Sequence, residues 1–96
     1  MVVDPDGVEL ATIRELVDLE GLRVVEIGCG DGRLTFGCAE QATSVFAFDA
    51  DEELVQMARA ATPPVLRDRI RFEVADAAEI DLPPAEFDLA LFSWSL

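Results

Sequence analysis

The sequence predicts an α/β fold in which a parallel sheet carries helices on its faces, of the doubly wound kind but cut short at about four strands and three helices. Three observations carry this. Short β-branched runs alternate with stretches of helical apolar spacing, an order that calls for parallel pairing through crossover helices. The strand runs are apolar at consecutive positions, as in sheets covered on both sides. A chain of 96 residues, 51% of them hydrophobic, makes one small domain with a core of its own.

The elements follow in order. Asp4-Pro5-Asp6-Gly7 reads as a turn into a first helix, with Asp6 at the N-cap and Glu9 at capping-box spacing. Leu10, Ile13, Leu16 and Val17 form its apolar stripe, and Gly21 ends it. Val24-Val25-Glu26-Ile27 is a buried strand that stops at glycines. Leu34, Phe36, Cys38, Ala39 and Ala42 mark a second helix, less regular than the first. Val45-Phe46-Ala47-Phe48 is the second strand. Asp51 caps a third helix with Leu54, Val55, Ala58 and Ala61 inside, and Pro63-Pro64 closes it. Ile70 to Val74 alternates as a third strand. Residues 75–86, with two prolines, read as loop, and Phe87 to Phe92 as a fourth strand. The whole is expected to be the N-terminal part of a domain, residues 1–96, whose C-terminal half is absent.

Composition excludes much chemistry. There is no Lys, His, Tyr or Asn. That removes serine–histidine and cysteine–histidine nucleophile pairs, histidine-ligated metal sites, the Walker A loop and Schiff bases. Twenty acidic residues against seven arginines leave a formal charge of -13, which disfavours a nucleic-acid groove. Cys29 and Cys38 form no C-x-x-C pair and suit a reducing compartment. The first residues are no signal peptide and no apolar run would span a membrane, so a cytoplasmic setting is expected.

The segment Glu26-Ile27-Gly28-Cys29-Gly30-Asp31-Gly32 joins the first strand to the second helix. Glycines here let the backbone turn sharply and let a ligand lie against bare main chain beside helix N–H groups. Asp49 ends the next strand, and a carboxylate there can accept both hydroxyl protons of a ribose. The residues themselves therefore point to an adenosine-containing cofactor at the carboxyl edge of the sheet. The dinucleotide fingerprint G-x-G-x-x-G would need its third glycine at position 33, which is Arg33.

The run Val24 to Thr35, with an acid followed by x-G-x-G-x-G, resembles the first motif of class I S-adenosylmethionine-dependent methyltransferases. Phe46-Ala47-Phe48-Asp49-Ala50-Asp51 is similar to the second-strand segment of that family, and Phe72-Glu73-Val74-Ala75-Asp76-Ala77 to its third-strand segment. Leu82-Pro83-Pro84 and Phe87 to Leu91 resemble the approach to its fourth strand. The resemblance implies a Rossmann-like sheet in the order 3-2-1-4 and S-adenosyl-L-methionine as cofactor. It implies that Gly28, Cys29 and Gly30 pass the methionine portion close to the backbone, and that Glu26 faces its ammonium. Asp49 would hold the ribose, Ala50 would leave room for the adenine ring, and Asp76 with the Ala77 amide would read the adenine edge. Against these stand plainer readings: Glu26 bonding the loop's own N–H groups, Asp49 capping a helix, Asp76 opening a turn, Leu54 in the core and Cys29 as loop filler. Ser93 and Trp94 fall where this fold brings groups near the transferred methyl, although Trp94 serves equally as a core or interface residue.

The implied reaction is in-line displacement at the sulfonium methyl, in which the protein contributes orientation. No catalytic residue is assigned. The acidity favours a small-molecule or basic-protein acceptor over nucleic acid. A sheet with one bare face and an open fourth strand would self-associate through that face or edge. Two alternatives remain open: part of an NAD(P)-binding oxidoreductase, and a non-catalytic module that keeps the fold.

Overall fold

The computed structural model describes residues 2–3, 18–76, 78–79 and 86–92. The expected first helix lies almost wholly outside these residues, as do Ala77, Leu82-Pro83-Pro84, Ser93 and Trp94.

Five strands form one sheet: β1 (Val2–Val3), β2 (Arg23–Ile27), β3 (Ser44–Asp49), β4 (Ile70–Val74) and β5 (Leu89–Phe92). Their spatial order is β1-β5-β2-β3-β4, and every pairing is parallel. Strands β2 to β5 are the four expected from the sequence, and they stand in the expected order. Helix α1 (Arg33–Ala39) links β2 to β3, and α2 (Glu52–Ala61) links β3 toward β4. A 3₁₀ turn at Pro64–Leu66 follows α2. The two prolines end the α-helix as expected, but Pro64 also starts this turn, since its fixed φ suits the first helical position.

β1 was not expected. Val2 pairs with Ala90 and Val3 with Leu91. This corrects the expectation of an open fourth strand: β5 lies between β1 and β2, and its backbone on that side has a partner at two positions.

One face of the sheet carries α1 and α2. Val24, Val45, Ala47, Leu89 and Leu91 pack there with Cys38, Ala39, Ala42, Val55, Ala58, Leu66 and Phe72. The small residues Ala39, Ala42 and Ala58 let the helix backbones come close to the strands. On the other face Val25, Ile27 and Phe48 are buried, with Phe46, Phe87, Ala90 and Phe92 packed around them and partly buried. The expectation of a bare second face therefore fails at its centre, where exposure is 7% or less.

Register is fixed at the lower end of the sheet. Asp88 accepts from the Arg23 backbone N–H at 2.9 Å and from the Arg23 guanidinium at 3.2 and 3.3 Å, while its own N–H donates to the Arg23 carbonyl. This clasp sets Val24 beside Leu89 and delays the start of β5 by two residues relative to the apolar run. At the upper end, Ile27 and Phe48 are partners, and Asp49 is paired with Val74. β2 thus has β3 on one side and β5 on the other, which makes the carboxyl end of β2 the switch point where ligands bind in such sheets.

Candidate functional site

The glycine loop leaves β2 through residues that need unusual backbone. Gly28, Gly30 and Gly32 have φ of 80°, 57° and 90°, a region costly for side-chain-bearing residues. The Gly28 and Cys29 N–H groups both donate to the Phe48 carbonyl, at 2.9 and 3.0 Å, so the loop is fastened to the tip of β3. Gly32 serves packing. A Cβ there would stand 3.1–3.2 Å from Ala58 Cβ and the ring tips of Phe36 and Phe72, which meet edge to face.

Asp49 is where loop and strand converge. Its Oδ2 accepts the Gly30 N–H at 2.9 Å and its Oδ1 accepts the Asp51 N–H at 2.9 Å. These two bonds aim the carboxylate and use one acceptor position on each oxygen. An ionised carboxylate has about four such positions, so each oxygen can take one more donor. Asp49 is half-buried. The capping of α2 falls to Asp51, whose Oδ1 accepts the Glu53 and Leu54 N–H groups. Asp49 is therefore not needed as a cap, and Ala50 between the two acids is exposed.

Glu26 lies beneath the loop with 1% of its surface exposed. It does not merely line the glycine turn: the hydroxyl of Thr35, from the first turns of α1, donates to its Oε1. Thr35 is itself fully buried. Its role could not be assigned from the sequence, where the only sign is one hydroxyl within an otherwise apolar helical stripe.

Cys29 is buried, and its Sγ points to the Gly30 carbonyl at 3.8 Å. Burial, reinforced by the negative fields of Glu26, Asp49 and Asp31, pushes its thiol up to about 12. A thiol that keeps its proton is no nucleophile at neutral pH, which agrees with a filling role. Asp31 is engaged by the Arg33 backbone and guanidinium.

Asp76 follows β4 at the same edge of the sheet. It is exposed, and its Oδ1 accepts the Ala78 N–H at 2.9 Å, so it does open a turn. The Ala75 N–H donates to the Asp49 carbonyl, which ties this strand end to the site. The structure thus gathers Glu26, Gly28, Cys29, Gly30, Asp49 and Ala50 at the tips of β2 and β3, with Asp76 one strand away. Ala77 is outside the described residues.

A cavity of about 420 Å³ lies at the opposite end of the sheet, lined by Phe46, Phe87, Ile70 and three arginines among others. Those arginines are engaged: Arg23 by Asp88, Arg71 by Glu73 and the Phe46 ring, and Arg69 by the Ala39 and Glu40 carbonyls at the end of α1. It has no connection to the glycine loop.

A family model described as "Methyltransferase domain" matches residues 24–96, which begin in β2 and include every residue of the site. The chain belongs to the methyltransferase-domain family. Among curated relatives, a magnesium-protoporphyrin O-methyltransferase of Rhodobacter capsulatus is 36% identical over 76 residues, covering 79% of this chain and 34% of that protein. A probable ribosomal RNA small subunit methyltransferase A of Pyrobaculum islandicum is 33% identical over 84 residues, covering 88% of this chain and 34% of that protein. Among solved structures, an S-adenosylmethionine-dependent methyltransferase from Mesorhizobium loti superposes with a TM-score of 0.75 at 34% identity, covering 85% of this chain and 37% of the other. The chain spans about a third of the length of the curated methyltransferases it matches.

Proposed function

We propose that this chain is the cofactor-binding portion of an S-adenosylmethionine-dependent methyltransferase. The observation that carries the reading is the Asp49 carboxylate, held by the Gly30 N–H against a positive-φ glycine loop with lone pairs to spare. That arrangement fits a ribose above the strand tips and an extended chain along the loop. Glu26 would face the ammonium of the methionine portion and the Gly28–Gly30 backbone would run beside it. Asp49 would take the ribose hydroxyls. Ala50, with no bulk beyond its methyl, would leave room for the adenine ring, and Asp76 with Ala77 would meet the adenine edge. When bound, the cofactor supplies an electrophilic sulfonium methyl. This chain's contribution is to bind and orient, a contribution worth roughly 7–11 kcal/mol of barrier when complete.

An NAD(P)-binding oxidoreductase portion is the second reading. It suffers from Arg33 at the third fingerprint position and from Gly32, whose missing side chain is explained by packing against Ala58, Phe36 and Phe72. A non-catalytic module of the same fold is the third.

The acceptor proposed is a small molecule. Asp31, Asp49, Asp51, Glu52, Glu53 and Asp76 stand at or near the carboxyl edge of the sheet, a setting that repels phosphate. Curated relatives are named for a porphyrin, for ribosomal RNA and for ubiquinone biosynthesis, so RNA is the competing acceptor. The buried, protonated Cys29 fits a reducing compartment, and a cytoplasmic setting is part of the proposal; among the described residues no helix is long and apolar enough to cross a membrane. Association through the partly buried Phe46, Phe87, Ala90 and Phe92 face is the remaining route to a dimer, to be read by sedimentation velocity over a concentration series.

Calorimetric titration with S-adenosylhomocysteine, NAD and NADP tests the central reading. Binding of the first alone is expected, and Asp49→Ala is expected to weaken it at least about a hundredfold, from two charge-assisted hydrogen bonds of roughly 1.5–3 kcal/mol each. Preference for a dinucleotide, or an Asp49→Ala variant of undiminished affinity, overturns it.

A further inference from the structure

We propose that Thr35 is a positioning residue for Glu26: its hydroxyl fixes the direction of the buried carboxylate, so that the site discriminates ligands by their amino-acid end. The inference rests on the reading of Glu26 as the partner of the ligand's ammonium group.

The two side chains come from different elements, Glu26 from β2 and Thr35 from α1, and meet in the interface between sheet and helix. Both are essentially excluded from solvent, at 1% and 0% exposure. A carboxylate in that position is unfavourable unless donors compensate it. Thr35 supplies one to Oε1. A threonine within a helix commonly turns its hydroxyl back to the carbonyl one turn earlier. A hydroxyl has a single hydrogen, so donation to Glu26 commits it.

The surroundings make that donor matter. In the loop above, Cys29 lies within the fields of Glu26, Asp49 and Asp31 together. Asp49 on β3 and Asp31 in the loop are the other acids that act on this thiol. Arg33, on the same helix as Thr35, is 90% exposed at its side chain and turned to Asp31. The strand neighbours of Glu26 in the sheet, Ala47 and Leu91, are apolar. The hydrogen bond from the Thr35 hydroxyl therefore sets which way the carboxylate points. A Glu26 rotated away from the loop would leave an adenosyl group bound no less well but would lose its hold on a cationic amine.

The test compares two ligands on the full chain by calorimetry. S-adenosylhomocysteine carries the amino-acid end, and 5′-methylthioadenosine is the same thioether without it. Thr35→Val, close to Thr in shape but without the hydroxyl, is expected to weaken S-adenosylhomocysteine about tenfold or more while leaving methylthioadenosine within about twofold. Thr35→Ser is expected to restore most of the loss. Glu26→Gln should show the same selectivity, and Thr35→Val should add nothing in that background, as for residues acting through one contact. Equal losses for both ligands, an unchanged preference, or additive effects of the two substitutions overturn the proposal. If Thr35→Val fails to fold by circular dichroism, Thr35→Ala is judged by the same ratio of affinities. An unsubstituted chain that binds neither ligand overturns the underlying cofactor reading, and this inference with it.

Discussion

At the tip of β3 one carboxylate does two structural tasks before any ligand arrives: Asp49 fastens the Gly30 amide and the Asp51 amide. Its position was legible in the sequence, as an acid ending a strand one crossover after a glycine loop. Its bonding was not, because backbone donors leave no mark in residue identity. The same holds for Glu26, where a charge in an apolar strand announced a special role but Thr35 as its partner depended on how α1 lies on the sheet. Gly32 teaches a related lesson. Its place in a G-x-G-x-G run suggests ligand contact, yet Ala58, Phe36 and Phe72 crowd it. Gly32→Ala is expected to destabilise the fold by about 2 kcal/mol or more, from left-handed strain and overpacking together, measured by urea unfolding. Cys29 sets a limit in alkali. Its folded-state value is raised from 9.0 to about 12, so stability is intact below pH 9 and is lost progressively as pH climbs toward 12. A thermal-melt series over that range should decline in the parent and decline less in Cys29→Ala.

How far an element is legible in the sequence depends mostly on its length. Ile70–Val74 has its expected bounds, because alternation over five residues is enough to declare a strand. α2 begins where Asp51 said it would and carries acids in its first turn and Arg59 in its last, in accord with the helix dipole. Asp51→Ala removes the acceptor for two N–H groups and is expected to cost about 1 kcal/mol, seen as a lower denaturant midpoint at unchanged slope. β1, by contrast, is two residues long and has no periodicity to read; it is a strand only because β5 lies beside it. The delayed start of β5 has a similar origin. Phe87 and Asp88 continue the apolar alternation, but the Arg23–Asp88 clasp spends the Asp88 backbone on the Arg23 carbonyl instead of on the ladder.

Over the whole molecule, charge and topology divide the sheet into two unlike ends. Acids crowd the upper edge, while Arg23, Arg69 and Arg71 line the cavity at the lower one beside Asp68 and Glu86 and are occupied with carboxylates, carbonyls and a ring. The separation follows from the parallel arrangement, which puts every strand's carboxyl end on the same side. The outer strand β4 exposes Arg71 and has Glu73 at half-burial, charges that discourage further strand addition. At the other border the pairing of Val2 with Ala90 joins segments far apart in sequence. Such a closure must gather the long stretch between them before its hydrogen bonds form, so it is expected late in folding, after β2 has met β3. In the native protein it should also be the first part of the ladder to open: deuterium uptake at whichever of the Ala90 and Leu91 N–H groups faces β1 is expected to run ahead of Val25 and Phe46. Deleting the first three residues should quicken the former and spare the latter, which would make the leading valines a latch whose loss frays one border without loosening the tips of β2 and β3.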